Sequence, residues 1–92
     1  MRDKKILALA AFVLASNRRN AIIELLYKHK AASPSAISKE THISRGNISN
    51  ALREVKDKEL VICINPEAYK GKVYCLTDLG EKVYKHLGDV II

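Results

Sequence analysis

Residues 33–61, SPSAISKETHISRGNISNALREVKDKELV, contain two helix starts. Ser33 stands before Pro34, an N-cap followed by proline at the first helical position, where the missing N–H would have found no intrahelical partner anyway. The spacing predicts a short helix from Pro34 to about Thr41, anchored by Ile37. Ser44 caps a second helix beginning at Arg45, in which Ile48, Leu52 and Val55 recur at helical spacing with Ala51 beside them and point inward. Its opposite face is Arg45, Asn47, Ser49, Asn50, Arg53 and Lys56, polar and free of acidic residues. Glu54, Asp57 and Glu59 fall to the side or near its end. Between the helices, His42 occupies a sharp turn where a positive φ is expected, and histidine tolerates that better than most non-glycine residues. Gly46 is costly inside a helix and makes sense where the backbone must approach another backbone or base edges closely.

Working outward, VICI (61–64) and VYCL (73–76) flank NPEAYKGK (65–72), with Pro66 and Gly71 marking a turn. This predicts a two-stranded hairpin over 61–76 with a long basic loop. Thr77 caps a last helix over 78–90, with Leu79, Val83 and Leu87 inside and Tyr84 beside them. Toward the N-terminus, Ala31 and Ala32 read as a short connection. A helix before them runs to about Lys30, with Ile22 and Leu26 on one face beside Ile23 and Leu25, and Lys28 and Lys30 suiting its C-terminal end. Asn17 to Asn20 interrupts the chain. Before that break, residues 3–16 are apolar around nearly the whole helix circumference. Such a helix needs protein on more than one side. In so small a domain, the far side is expected to meet a second subunit; the plainer alternative is that Ile6, Leu7, Leu9, Phe12 and Val13 complete the monomer core.

Ninety-two residues with Lys+Arg 16 against Asp+Glu 10 and a formal net charge of +6 make one domain (1–92), α+β and mainly helical. A chain this short buries around two-thirds of the surface its unfolded form exposes, which leaves little room for a large catalytic cleft. The excess positive charge favours an anionic partner, nucleic acid or a membrane surface. No GxSxG, HExxH, P-loop or paired-carboxylate pattern is present. His29, His42 and His86 sit on different elements and read as surface or capping residues. No enzyme activity, cofactor or metal is therefore expected.

Cys63 and Cys75 form no CxxC pair and are read as reduced, small buried hydrophobes. If they lie on paired strands a cross-strand disulfide is geometrically conceivable. A metal sensor using both with His86 matches no known ligand spacing. The opening MRDKKILALAAFVLA imitates a signal peptide, but removing it would discard much of the apolar material of a very small domain. The apolar run from Ile6 to Ala15 is about half of what a bilayer requires. No membrane partner is expected, and the location is read as cytoplasmic.

Two helices joined by a brief turn form a helix-turn-helix, whose second helix enters the major groove of duplex DNA. There, Arg45 and Arg53 can each give a bidentate contact to guanine, Asn47 or Asn50 can pair with adenine, and Ser49 is less specific. Together with NPEAYKGKVYCLTDLGEKV (65–83), the stretch resembles the winged helix-turn-helix transcription regulators of archaea and bacteria, broadly the MarR-like and ArsR-like groups. The likeness covers Ala21 to Leu87, and its most telling pieces are SRGNISNALREV, ELV and YCLTDLGEKV.

The resemblance implies a homodimer on operator DNA. It places Arg45, Gly46, Asn47, Ser49, Asn50 and Arg53 on the bases, Ser33, Ser35, Ser44 and Lys56 on the backbone, and Tyr69, Lys70 and Lys72 on the wing. It also implies first and last helices paired across a two-fold axis through Ile6, Leu9, Phe12, Val13, Tyr84, Leu87 and Ile91. His42 and Glu59 stand where the family usually has glycine, and no effector-binding extension is visible. Two other readings compete. One is a winged-helix adaptor that holds another protein within a transcription complex. The other is an RNA binder, which would need stacking aromatics that a 5% aromatic content without Trp scarcely supplies.

Overall fold

A computed structural model describes residues 4–90. Every α-helix after the first starts on a side-chain hydroxyl that accepts a hydrogen bond from a first-turn N–H. Ser16 accepts from Arg19 N at 3.3 Å, Ser33 from Ala36 N at 3.1 Å, Ser44 from Asn47 N at 3.3 Å and Thr77 from Gly80 N at 2.9 Å. These caps delimit α2 (Asn17–His29), α3 (Pro34–Thr41), α4 (Arg45–Asp57) and α5 (Asp78–Lys85), preceded by α1 (Lys4–Leu14). β1 (Val61–Cys63) and β2 (Tyr74–Leu76) pair antiparallel between α4 and α5, with Val61 opposite Leu76 and Cys63 opposite Tyr74. The described chain is thus α+β and mainly helical, five α-helices and a hairpin, a layout compatible with a winged helix.

The turn between α3 and α4 is held locally. His42 takes φ 61°, as expected, and its N–H reaches Ser38 O at 2.9 Å. Thr41 Oγ1 donates to Ile37 O at 2.6 Å and accepts from Ile43 N at 3.3 Å, while Ser38 Oγ donates to the Ile43 carbonyl. Glu59 takes φ 64°, filling the left-handed position that ends α4. Ala32 is more than a connection: it exchanges both backbone hydrogen bonds with Tyr74, at 3.0 and 2.9 Å, and so fastens the start of α3 to β2.

Three expectations need correction. Asn17 to Asn20 is the first turn of α2 and not an interruption, because Ser16 is extended and capping; the chain axis turns by 112° between α1 and α2. The last helix does not run through 78–90. The His86 ring donates from Nδ1 to Lys82 O at 2.8 Å, taking the carbonyl that a continuing α-helix would offer to the His86 N–H. That N–H bonds Val83 O at 3.0 Å instead, and a 3₁₀ turn follows at Leu87–Asp89.

The third correction concerns α1. Ile6, Leu9 and Val13, expected at a subunit interface, are buried in the chain's own core together with Ala10. Their i, i+3, i+7 spacing faces them inward as one stripe, where α1 packs on α2 and α5. Phe12 is half-buried under the Arg19 guanidinium, 3.9 Å above its ring, and Tyr84 stacks on Tyr27 with centroids 4.2 Å apart. Leu87 is half-buried against the same core, and Ile91 lies outside the described residues. The all-round apolar look of this stretch comes from alanines: the outward face of α1 carries Ala8 and Ala11, followed by exposed Ala15 just past its end, with Leu7 and Leu14 half-buried at the margins.

The rest of the core is Ile22, Ile23, Leu25 and Leu26 of α2, Ile37, the inward row of α4, then Leu60, Val61 and Val83. No single helix among the described residues is long and apolar enough to cross a membrane. The hairpin register sets Cys75 opposite Ile62 and Cys63 opposite Tyr74, so strand alternation sends the two thiols to opposite faces. Both are free, and a cross-strand disulfide is incompatible with this register.

Candidate nucleic-acid interface

The inward row of α4, Ile48, Ala51, Leu52 and Val55, is buried, which fixes what its other side presents. Arg45, Gly46, Ser49, Asn50, Arg53 and Lys56 are exposed and Asn47 is half-buried. Arg53 Nη2 lies 3.4 Å from Asn50 Oδ1, a long hydrogen bond that leaves the rest of the guanidinium fork open. Glu54, the carboxylate next to this face, is drawn away by Arg19, whose Nη1 sits 3.1 Å from Glu54 Oε1 while its Nε donates to Phe12 O at 2.8 Å. Nothing in the local sequence marked Arg19 for this role, since its partners are 7 and 35 residues away.

The hairpin loop is shaped by Asn65. Its Nδ2 donates to Gly71 O at 3.1 Å and its Oδ1 accepts from Val73 N at 2.7 Å, so one side chain bridges the loop from end to end. Ala68 N adds a bond to Asn65 O at 3.0 Å, and Gly71 takes φ 70°, which suits a residue without Cβ. The loop leans toward the start of α3, and the two enclose a groove of about 510 Å³ lined by Ser33, Pro34, Ser35, Arg45 and residues 69–72. Residues from three sequence segments, expected separately on bases, backbone and wing, therefore meet at one place. A smaller groove of about 220 Å³ lies along α4, lined by Pro34, Ser49, Leu52, Arg53, Lys56 and Tyr74.

Pro34 lines both grooves, so they meet at the start of α3. Arg45, Lys70 and Lys72 line the first and Arg53 and Lys56 the second, with no carboxylate in either. Ser33 keeps a free O–H after its oxygen accepts the capping bond, because a hydroxyl is one donor and two acceptors. Beside the positive end of α3, that O–H and the cations suit an anion. Burial, and secondarily the charge of Cys63 when ionised, raises the pKa of Tyr74, whose ring walls the second groove. Ser44, Gly46, Asn47 and Asn50 line neither groove. Among the described residues no three His, Cys, Asp or Glu side chains gather as a metal-binding group.

The angle between α4 and the hairpin is set at a joint the sequence did not advertise. Thr77 Oγ1 donates to Glu59 O at 2.7 Å, and Thr77 N donates to Leu60 O at 3.0 Å. Leu60 N in turn reaches Val55 O at 3.0 Å. Gly80 presses its bare Cα against that same Leu60 carbonyl. The available signal was a lone glycine inside a helical pattern, which in general points to a packing reason. Gly46 is different: a Cβ there would meet nothing within 4 Å, so no neighbour in the chain requires glycine. No protein-family model, no curated protein and no solved structure matches the chain, so what this surface binds is inferred from the residues that form it.

Proposed function

We propose that this protein is a winged helix-turn-helix regulator of transcription, binding specific duplex DNA as a homodimer. On this reading α4 lies in the major groove and the 65–73 loop rests on the flanking backbone or minor groove. The observation that carries it is the cationic surface of Arg45, Arg53, Lys56, Lys70 and Lys72 around the start of α3, lined by no carboxylate. Phosphate neutralisation needs cations in that arrangement, and base reading needs an exposed polar helix face beside them. Phe12, Tyr84, Leu87 and the outward face of α1 are the surfaces left for a second copy.

The test is duplex affinity against salt. If Lys56, Lys70 and Lys72 of each copy displace counterions, log K should fall with log salt at a slope of roughly −5 for a dimer. A slope near zero would defeat the reading. Gly46→Ala separates fold from function in the same assay. It should raise unfolding free energy by about 0.5–1 kcal/mol in urea titration while weakening duplex binding. Unchanged binding would mean that no DNA backbone or base approaches Gly46.

The adaptor reading has one observation in its favour. Ile62 and Ile64, 49% and 54% exposed, stand on the outer face of the hairpin. A pair of apolar side chains is within what monomer surfaces ordinarily carry.

A further inference from the structure

We infer that Tyr69 is a stacking wedge: the loop inserts its ring into the minor groove beside the site read by α4, between two base pairs, and so selects a flexible pyrimidine–purine step there. The inference rests on the duplex-binding reading above and adds a determinant of sequence preference outside α4.

The chain has one Phe, four Tyr and no Trp. Four of these five rings are used by the fold. Phe12 lies under Arg19, Tyr27 and Tyr84 stack on each other, and Tyr74 packs half-buried against the core. Tyr69 is 93% exposed. Its ring and hydroxyl make no contact of this kind among the described residues, so folding gains nothing from placing it there.

The backbone beneath it is nevertheless ordered, because Asn65 bridges the loop to Gly71 and Val73 and its carbonyl accepts from Ala68. A ring presented on a braced loop loses little further freedom on binding. Lys70 and Lys72 follow it, and Arg45, Ser33 and Ser35 stand across the groove that Tyr69 helps to line. The loop offers one flat ring followed by two cations, Lys70 and Lys72, which matches a base step and its adjoining phosphates. Apolar wedges of this kind kink duplexes from the minor groove. Unstacking costs least at TA and CA/TG steps, and a tyrosine hydroxyl at the ring's leading edge can donate to the N3 and O2 acceptors there.

The experiment starts from duplexes selected by the full chain out of a random pool. The steps flanking the selected site are replaced by TA or by AA on both sides, and each version is bound to wild type, Tyr69→Ala and Tyr69→Phe. End-to-end energy transfer reports the bend. Wild type should favour the TA flank by roughly 5- to 30-fold and bend the duplex by about 20° or more. Tyr69→Ala should lose most of the preference and the bend, Tyr69→Phe should keep most of both, and the urea midpoint should stay unchanged in both variants. Equal behaviour of wild type and Tyr69→Ala on both flanks overturns the wedge while leaving duplex binding intact. So does an equal loss on both flanks, which would place the ring on the sugar–phosphate backbone. Failure of the pool to yield any duplex overturns the DNA reading and the wedge with it.

Discussion

Gly80→Ala is expected to lower the unfolding free energy by roughly 3 kcal/mol or more. The added Cβ would lie 2.1 Å from Leu60 O, 3.1 Å from Leu60 C and 3.2 Å from Leu76 Cδ2. Two of those three atoms are backbone and cannot swing aside as the end of a long side chain could. The Leu60 carbonyl is also held in place, since it accepts from Thr77 N at 3.0 Å, and Thr77 Oγ1 holds the neighbouring Glu59 carbonyl at 2.7 Å. Relief would require α5 to retreat, breaking both bonds and pulling Val83 from the core. A domain of this size is stable by only about 5–14 kcal/mol, so the loss is a large fraction of the total. Urea titration of Gly80→Ala beside Gly88→Ala checks it, because a Cβ at Gly88 meets nothing within 4 Å. Equal midpoints for the two variants would contradict the packing described for the joint.

Replacing Arg45 and Arg53 together with alanine should reduce affinity for the selected duplex by roughly 2–6 kcal/mol per half-site, at about 1–3 kcal/mol for each bidentate base contact. The two side chains line different grooves and share no hydrogen-bond partner described here, so their effects should add closely. Binding to unrelated duplexes should fall much less, and sequence preference should collapse toward the non-specific level. Lys72→Ala offers the contrast. A phosphate contact carries no sequence information, so its loss should weaken all duplexes alike and reduce the salt slope by about one per copy. Retained preference in the double variant, or a sequence-dependent effect of Lys72→Ala, would show that α4 and the loop do not divide the labour in this way.

How far the sequence alone reached depends on the range of the interaction involved. Ser33 with Pro34, Ser44, and Thr77 gave correct helix starts because capping joins residues three apart, and His42 was legible because its conformation is a property of the turn itself. Ser16 does the same chemistry and was overlooked, since the polar Asn17 to Asn20 after an apolar run looks like a break when it is a solvated first turn. The inward burial of Ile6, Leu9 and Val13 was hidden by the alanines opposite them, which are apolar in composition yet small enough to stand in water. At the end of α5 the His86 ring, and not its N–H, bonds the Lys82 carbonyl, and no propensity scale describes that.

At the candidate interface, residue types and helix face could be read directly, and the polar side of α4 lies where its period put it. What could not be read was the convergence of Ser33 and Ser35 with Arg45 and residues 69–72, because it needs the Ala32–Tyr74 bridge, the Asn65 brace and the Thr77 joint together. Each of these links segments distant in the chain, and none alters local hydrophobic period or charge.

The position of Arg19 has an electrostatic consequence for the face opposite. α4 is not intrinsically free of negative charge; it carries Glu54 one residue from Arg53 and ends at Asp57, and the Glu54 carboxylate is paired with a guanidinium that belongs to α2 and rests on the ring and carbonyl of α1's Phe12. The charge that α4 shows beside Arg53 is therefore a property of the corner between the first two helices as much as of α4 itself.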